Sequence, residues 1–260
     1  MRFENLGADP SADWMGRAFS EVITAELAGA PRMYAIPSVR MHSYERNMGA
    51  RPVSAPGISA ERGLALVSGA NRIGYGYYAT RGGRVQVRLV IENPQTGKMS
   101  AEIGAAGPVE DVIGTASALA RRIWNAAPPY QIRGAPALQE YIAALESTDP
   151  EAVVRSLHQA IAADPNFGPA YLLLLQVQLQ RLDRDGADAT LRAALSRPLP
   201  PLDRARLEWQ GAELRGDSGA RIQALEALCR RDPDDPVAWR SLAGPLATAR
   251  LYAAAVNAYR

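Results

Sequence analysis

Cysteine, lysine and histidine are almost missing from this chain. Cys229 is the single cysteine, so no disulfide can close within the chain and no set of thiolate metal ligands can be assembled. Cysteine usage therefore leaves the redox compartment open. Lys98 is the only lysine among 29 basic residues, the rest being arginine. Up to residue 130 there are 14 basic and 11 acidic residues, and beyond it 15 and 16, so neither half has the positive excess that a nucleic-acid partner needs. His42 and His158 are the only histidines, and neither has a carboxylate or a second histidine at metal-ligand spacing. Both read as helix-face or surface residues. Long apolar runs are lacking too: Ala170 to Leu175 stops after six residues at Gln176, against roughly 18 for a membrane-spanning helix. The opening Met1-Arg2-Phe3-Glu4-Asn5 has no signal-peptide core.

What is present is an ordinary globular composition, 47% apolar and 22% charged, over 260 residues. That length favours two separate cores over one. Asp9-Pro10-Ser11 caps a helix predicted to Leu27, with Trp14, Ala18, Val22 and Met15, Phe19, Ile23, Leu27 recurring every four residues. Met33-Tyr34-Ala35-Ile36, between Pro31 and Pro37, reads as a short buried strand, followed by a helix from Ser38 to Glu45. Gly49, Pro52, Pro56 and Gly57 place a loop over Asn47 to Gly57, and a helix runs from Ser59 toward Val67.

From Ile73 the period changes to two. Tyr75, Tyr77 and Ala79 alternate up to Gly82-Gly83, and Val85, Val87, Leu89 and Ile91 alternate after it, which is the pattern of a hairpin closed by a two-residue turn. Pro94-Gln95-Thr96-Gly97 makes a second turn into a strand at Met99 to Ile103, completing an antiparallel meander. A helix follows with the stripe Val112, Ala116, Leu119, Ala120, Ile123 and Trp124. The proline-rich stretch from Ala127 to Pro136 has linker composition, so the first domain is placed at 1–126, the linker at 127–136 and the second domain at 137–260.

Phe3-Glu4-Asn5-Leu6, Asp9-Pro10 and Trp14, then the helix with Ile23-Thr24-Ala25-Glu26-Leu27, resemble the opening of the TolB-like amino-terminal domain of bacterial proteins. The later order is also similar: Gly69-Ala70, the strand Ile73 to Thr80, Gly82-Gly83, Val85-Gln86-Val87-Arg88-Leu89 and Thr96-Gly97. The resemblance covers residues 3 to 125. It implies an α/β fold with helices packed on a mixed sheet, no catalytic residues, attachment to sensor kinases, cyclases or winged-helix regulators, and a likeness in shape to subunits of outer-membrane assemblies. Arg2 stands where that family has proline, and the strand that precedes its motif is reduced here to Met1-Arg2-Phe3.

The second half is organised by a repeated phrase. Asp164-Pro165-Asn166-Phe167-Gly168-Pro169-Ala170-Tyr171 returns as Asp232-Pro233-Asp234-Asp235-Pro236-Val237-Ala238-Trp239 after 68 positions, twice the 34-residue step of tetratricopeptide repeats. A unit from Gly168 sets Tyr171, Leu174, Ala187, Leu191 and Ala194 in core positions, and one from Pro236 sets Trp239, Leu242, Ala243, Leu246, Ala255 and Tyr259 there. The intervening unit, with Leu207, Gly211, Ala220 and Leu225, is offset by one residue; a first, degenerate unit has Leu138, Tyr141, Leu157 and Ala160. The fold class that follows is an α/β domain with a mixed sheet, then an all-α, tetratricopeptide-like superhelix of helical hairpins. The array is expected to be incomplete at its C-terminal end, because Arg260 falls inside the second helix of a pair.

Gly74-Tyr75-Gly76-Tyr77-Tyr78-Ala79 matches a dinucleotide-binding pattern, but that pattern needs a helix after its strand, and a hairpin follows here. Cys229, beside Leu225 and Leu228, reads as a small buried residue. Asp232, Asp234 and Asp235 lack the glycine and terminal glutamate of a calcium loop and read as turn and cap. No catalytic, cofactor or metal residue is therefore expected. The expected function is a non-enzymatic scaffold of a bacterial regulatory or envelope-associated system, binding a protein or peptide in its concave groove through Gln176, Gln180 and Arg240. Two other readings stand beside it: the sensing region of a larger kinase, cyclase or winged-helix regulator, and a self-associating subunit of an outer-membrane assembly. The compartment is cytoplasmic for the chain as it stands, or periplasmic within a membrane-anchored longer protein.

Overall fold

The computed structural model describes residues 1–48, 59–132 and 134–259, and these divide into two units, 1–28 with 35–130 and 29–34 with 131–260. The first unit has the order β1 (Glu4–Asn5), α1 (Trp14–Glu26), α2 (Ser38–Met48), α3 (Ser59–Val67), β2 (Ile73–Arg81), β3 (Arg84–Glu92), β4 (Met99–Pro108) and α4 (Val112–Ile123). From residue 49 the loop expected over Asn47 to Gly57 lies outside the described residues.

Gly82 and Gly83 both take positive φ, 57° and 71°, which gives the hairpin a turn whose twist matches its strands. Pairing is in strict register from Arg81 opposite Arg84 to Ile73 opposite Glu92. The third strand runs to Pro108 rather than ending at Ile103, because β3 offers partners down to Arg84. β1 joins the other side of β2 in parallel, so the sheet is four-stranded, mixed and ordered β1-β2-β3-β4. Met33 to Ile36 does not form the expected strand: Arg32 turns through φ 57° and the Met33 N–H is taken by the Ala30 carbonyl. Local turn geometry outweighed the apolar composition of those four residues.

The helix expected from Ser11 begins as one 3₁₀ turn, Pro10–Ala12, with the Asp9 carboxylate accepting the Ser11 N–H, and α1 starts at Trp14. Its apolar face (Ala18, Phe19, Val22) is fully buried, as are Ala116, Leu119 and Ala120 of α4, which packs on both α1 and β4. Phe19 lies between Phe3 and Tyr78 at ring distances of 5.6 and 5.5 Å. Burying an aromatic side chain in this way contributes about 1.5–3 kcal/mol. The Phe3 ring lies so close over Gly76 that a Cβ there would meet it at 2.3 Å and the Arg88 carbonyl at 2.2 Å. Gly76 of the dinucleotide-like motif thus makes room for packing.

The β3–β4 ladder is irregular between Ile91 and Glu92, and Glu92 is buried. The Arg62 guanidinium donates to it at 2.7 Å and the Tyr75 hydroxyl at 3.1 Å. The Arg62 hydrogen bond, chiefly, holds the Glu92 carboxyl below its ordinary value.

Among the described residues the second unit has eight helices: α5 (Ala135–Glu146), α6 (Pro150–Ala163), α7 (Gly168–Gln180), α8 (Arg184–Leu195), α9 (Pro201–Arg215), α10 (Ser218–Arg231), α11 (Pro236–Thr248) and α12 (Tyr252–Tyr259). α5 with α6, α7 with α8, α9 with α10 and α11 with α12 pack as pairs, and each second helix packs on the first helix of the next pair. Connections of two or three residues within the pairs force their helices antiparallel. Tyr171 and Trp239 occupy the same place in their pairs: the Tyr171 hydroxyl donates to the Pro165 carbonyl at 3.1 Å and the Trp239 Nε1–H to the Pro233 carbonyl at 2.8 Å. The unit is the array of tetratricopeptide-like helical hairpins that the 34-residue step implies.

The step is kept more strictly than the first helices suggest. Leu182, Gly216 and Arg250 stand 34 residues apart, and all three turn through φ near 60–68° between the helices of their pairs. Asp149, Asp183 and Asp217 are also 34 apart, and each caps a second helix, accepting from the N–H of Glu151, Gly186 and Ala220 respectively. Leu251 takes this place in the fourth pair. Leu157, Leu191 and Leu225, at the same step, are fully buried. Tyr259, next in that series and expected in the core, is 65% exposed. The earlier leucines are covered by the first helix of the following pair: Leu191 presses on Gly211 of α9, where a Cβ would meet its Cδ2 at 2.5 Å.

Two predictions follow from these contacts. Arg62→Ala leaves Glu92 buried without its cation, and urea unfolding at neutral pH should show a lower midpoint than wild type, by less than a fully buried pair would lose because Arg62 is partly exposed. Since the folded Glu92 pKa is depressed, its stabilisation is present above the unfolded value and disappears as pH falls through the folded one, so wild type and variant should converge in acid. Asp183→Ala and Asp217→Ala should each cost about 1 kcal/mol in thermal unfolding, the usual loss of a helix cap.

Candidate functional site

The polar residues singled out for the groove lie on first helices. Gln176 and Gln180 are exposed, one turn apart on one face of α7, and Arg240 is exposed on α11. None of the three side chains forms a hydrogen bond or ion pair with another described residue. They do not form one cluster: α7 packs on α6, α8 and α9, whereas α11 packs on α10 and α12. A ligand touching all three would have to extend across α9.

α9 supplies charge that the sequence reading passed over. Arg206 is half-buried and stands 3.7 Å from Asp203. Burial raises the Asp203 pKa, and the Arg206 charge offsets part of that rise. Burial also raises Asp232, helped by the negative charge of Asp235, and Arg206 again acts in the opposite direction. One guanidinium therefore favours the charged form of both carboxylates. The pair Asp203 and Arg206, three residues apart on a helix, was the visible signal.

The remaining candidates resolve into structural parts. Asp235 caps α11, its Oδ1 accepting the N–H groups of Val237 and Ala238 at 2.8 and 3.3 Å, while Asp232 is buried at the end of α10. Among the described residues no three His, Cys, Asp or Glu side chains are grouped so as to hold a metal ion. His158 is exposed on α6, whereas His42 is buried on α2, so only the first is a surface residue. Gly74 and Gly76 lie within β2, with β3 directly after, so no helix N-terminus is placed for a pyrophosphate. No described helix is long and apolar enough to cross a membrane.

Cys229 belongs to the core cluster of Leu225, Leu228, Leu242 and Leu246. Burial, assisted by the charge of Asp235, pushes its thiol up to about 11. A thiol reagent should therefore leave the native protein unmodified and label one sulfhydryl per chain once urea unfolds it; rapid labelling of the folded protein would place the thiol at the surface.

No model of a known protein family matches the chain, and no curated protein matches it either. Among solved structures, the crystal structure of MamA is similar over 57% of this chain and 85% of its own, with 16% sequence identity and a TM-score of 0.37. A likeness that slight adds nothing to the architecture described above.

Proposed function

We propose that this chain is a non-enzymatic scaffold that binds a protein or peptide along the first helices of its hairpin array. The observation that carries this reading is the stacking of helix pairs whose first helices keep polar side chains, Gln176, Gln180 and Arg240, exposed and unengaged within the array. Such a surface recognises an extended partner by shape and a few polar contacts, with little reorganisation of the scaffold. The TolB-like residues of the first unit, from Phe3-Glu4-Asn5-Leu6 to Thr96-Gly97, support a place in a bacterial regulatory or envelope-associated system. They equally suit a second reading, the accessory or sensing region of a larger kinase, cyclase or winged-helix regulator. A subunit of an outer-membrane assembly is a third, and would appear as rings or higher oligomers on solution sizing.

Affinity capture from a bacterial lysate, run side by side with wild type and a Gln176→Glu plus Arg240→Glu variant, tests the groove. Both substitutions are at exposed positions, so the variant should unfold at the wild-type temperature while losing the proteins that wild type retains. Equal recovery by both would remove these helices from recognition.

A further inference from the structure

We propose that β4 is an edge through which two copies of this chain pair, antiparallel about Gly104, so that their four-stranded sheets become one. The surface lies in the first unit and does not rest on the groove reading. β4 is ten residues long and pairs on one side only, with β3. The Val109 N–H donates to the Gly83 carbonyl, and from there the register runs through Val85 opposite Gly107 and Val87 opposite Ala105, so the odd residues of β4 exchange hydrogen bonds with β3. The N–H and C=O groups of Glu102, Gly104 and Ala106 therefore point away from the sheet, and no described residue pairs with them. Edges of this kind are usually blunted by lysine, proline or an inward-pointing charge. Here the middle of the strand is Ile103-Gly104-Ala105-Ala106, and the one charge beside it, Glu102, is held at 2.7 Å by Arg88 of its own sheet.

Both ends of the free edge are closed. Ser100 is left over between Met99, opposite Glu92, and Ala101, opposite Ile91, so the strand bulges there, and Pro108 has no N–H to offer. An added strand can pair along 102–106, whose midpoint is Gly104. Charge then selects the occupant. Lys98 and Glu110 stand six residues to either side of Gly104, are exposed, and have no ion-pair partner among the described residues. An antiparallel second copy brings each Lys98 to the end of the seam where the other copy's Glu110 stands, which is complementary at both ends. The same register sets Glu102 opposite Ala106 instead of opposite its own counterpart, and like charges do not meet. Three N–H and three C=O groups from each copy make six hydrogen bonds across the twofold axis.

Sedimentation velocity of the full chain should show a monomer–dimer equilibrium, and the amides of Glu102, Gly104 and Ala106 should exchange with solvent more slowly as protein concentration rises. Lys98→Glu should weaken the dimer about tenfold, some 1.4 kcal/mol. Lys98→Glu together with Glu110→Lys should restore it, because the pair is then reversed and not lost. Both positions are exposed, so these variants should unfold at the wild-type temperature. Ala106→Pro removes an N–H that faces away from β3 and should abolish the dimer while the sheet stays folded; if that variant unfolds, the charge-reversal pair decides alone. A chain that sediments as a monomer at every concentration overturns the proposal. So does a dimer indifferent to Lys98→Glu, or a double variant no tighter than the single one. A dimer lost only in the Gln176→Glu plus Arg240→Glu variant overturns it as well and moves the contact to the helical array.

Discussion

A helical hairpin of this chain cannot bury its own apolar side, and the rest of the second unit depends on that constraint. Leu157, Leu191 and Leu225 are each buried because another pair follows. Stability in such an array is close to a sum of pair terms and neighbour contacts. The geometry between neighbours must therefore repeat, and the repeat is strictest where a second helix begins and where it meets the next pair: aspartate caps at 149, 183 and 217, left-handed turns at 182, 216 and 250. A left-handed turn at Leu182 and Arg250 costs conformational energy that glycine at 216 avoids. The array keeps the conformation regardless of which residue occupies it.

The first unit solves a different problem, that of a small sheet carrying several polar groups inward. Glu26 is buried, and its Oε1 accepts from the Ser117 hydroxyl and, at 2.8 Å, from the Tyr130 N–H. One carboxylate on α1 thus holds both α4 and the chain that leaves it. Glu92 is met by Arg62 and Tyr75 in the same manner. Such partners offset the cost of withdrawing a carboxylate from water; Glu26 keeps one oxygen, Oε2, without a hydrogen-bond partner among the described residues, and Glu92 ties α3 to the sheet. Around them Phe3, Phe19 and Tyr78 form the apolar column, the Tyr78 hydroxyl donating to the Ala12 carbonyl at 2.8 Å.

These two solutions leave different surfaces available. In the array the aromatic side chains near the interhelical turns are engaged, Tyr171 and Trp239 by proline carbonyls and Tyr141 by Phe167 at a ring distance of 5.2 Å. What stays outside is polar on α7 and α11 and apolar on α12.

Local patterns in the residues were enough for the hairpin about Gly82-Gly83, for the capped first helix, and for the 34-residue step read from Asp164 to Trp239, because each depends on neighbours in sequence. The exposed placement of Gln176, Gln180 and Arg240 was likewise legible from helical period. Tertiary structure alone decided that Met33 to Ile36 is not a strand, that Arg206 acts on Asp232 as well as on Asp203, and that Gly211 lies against Leu191. In each of these the outcome is set by what another part of the chain places beside the residue: a turn that takes the N–H, an aspartate from a different helix, or the first helix of the next pair. A residue type carries its preference for burial, but the neighbour that satisfies it is supplied by the fold.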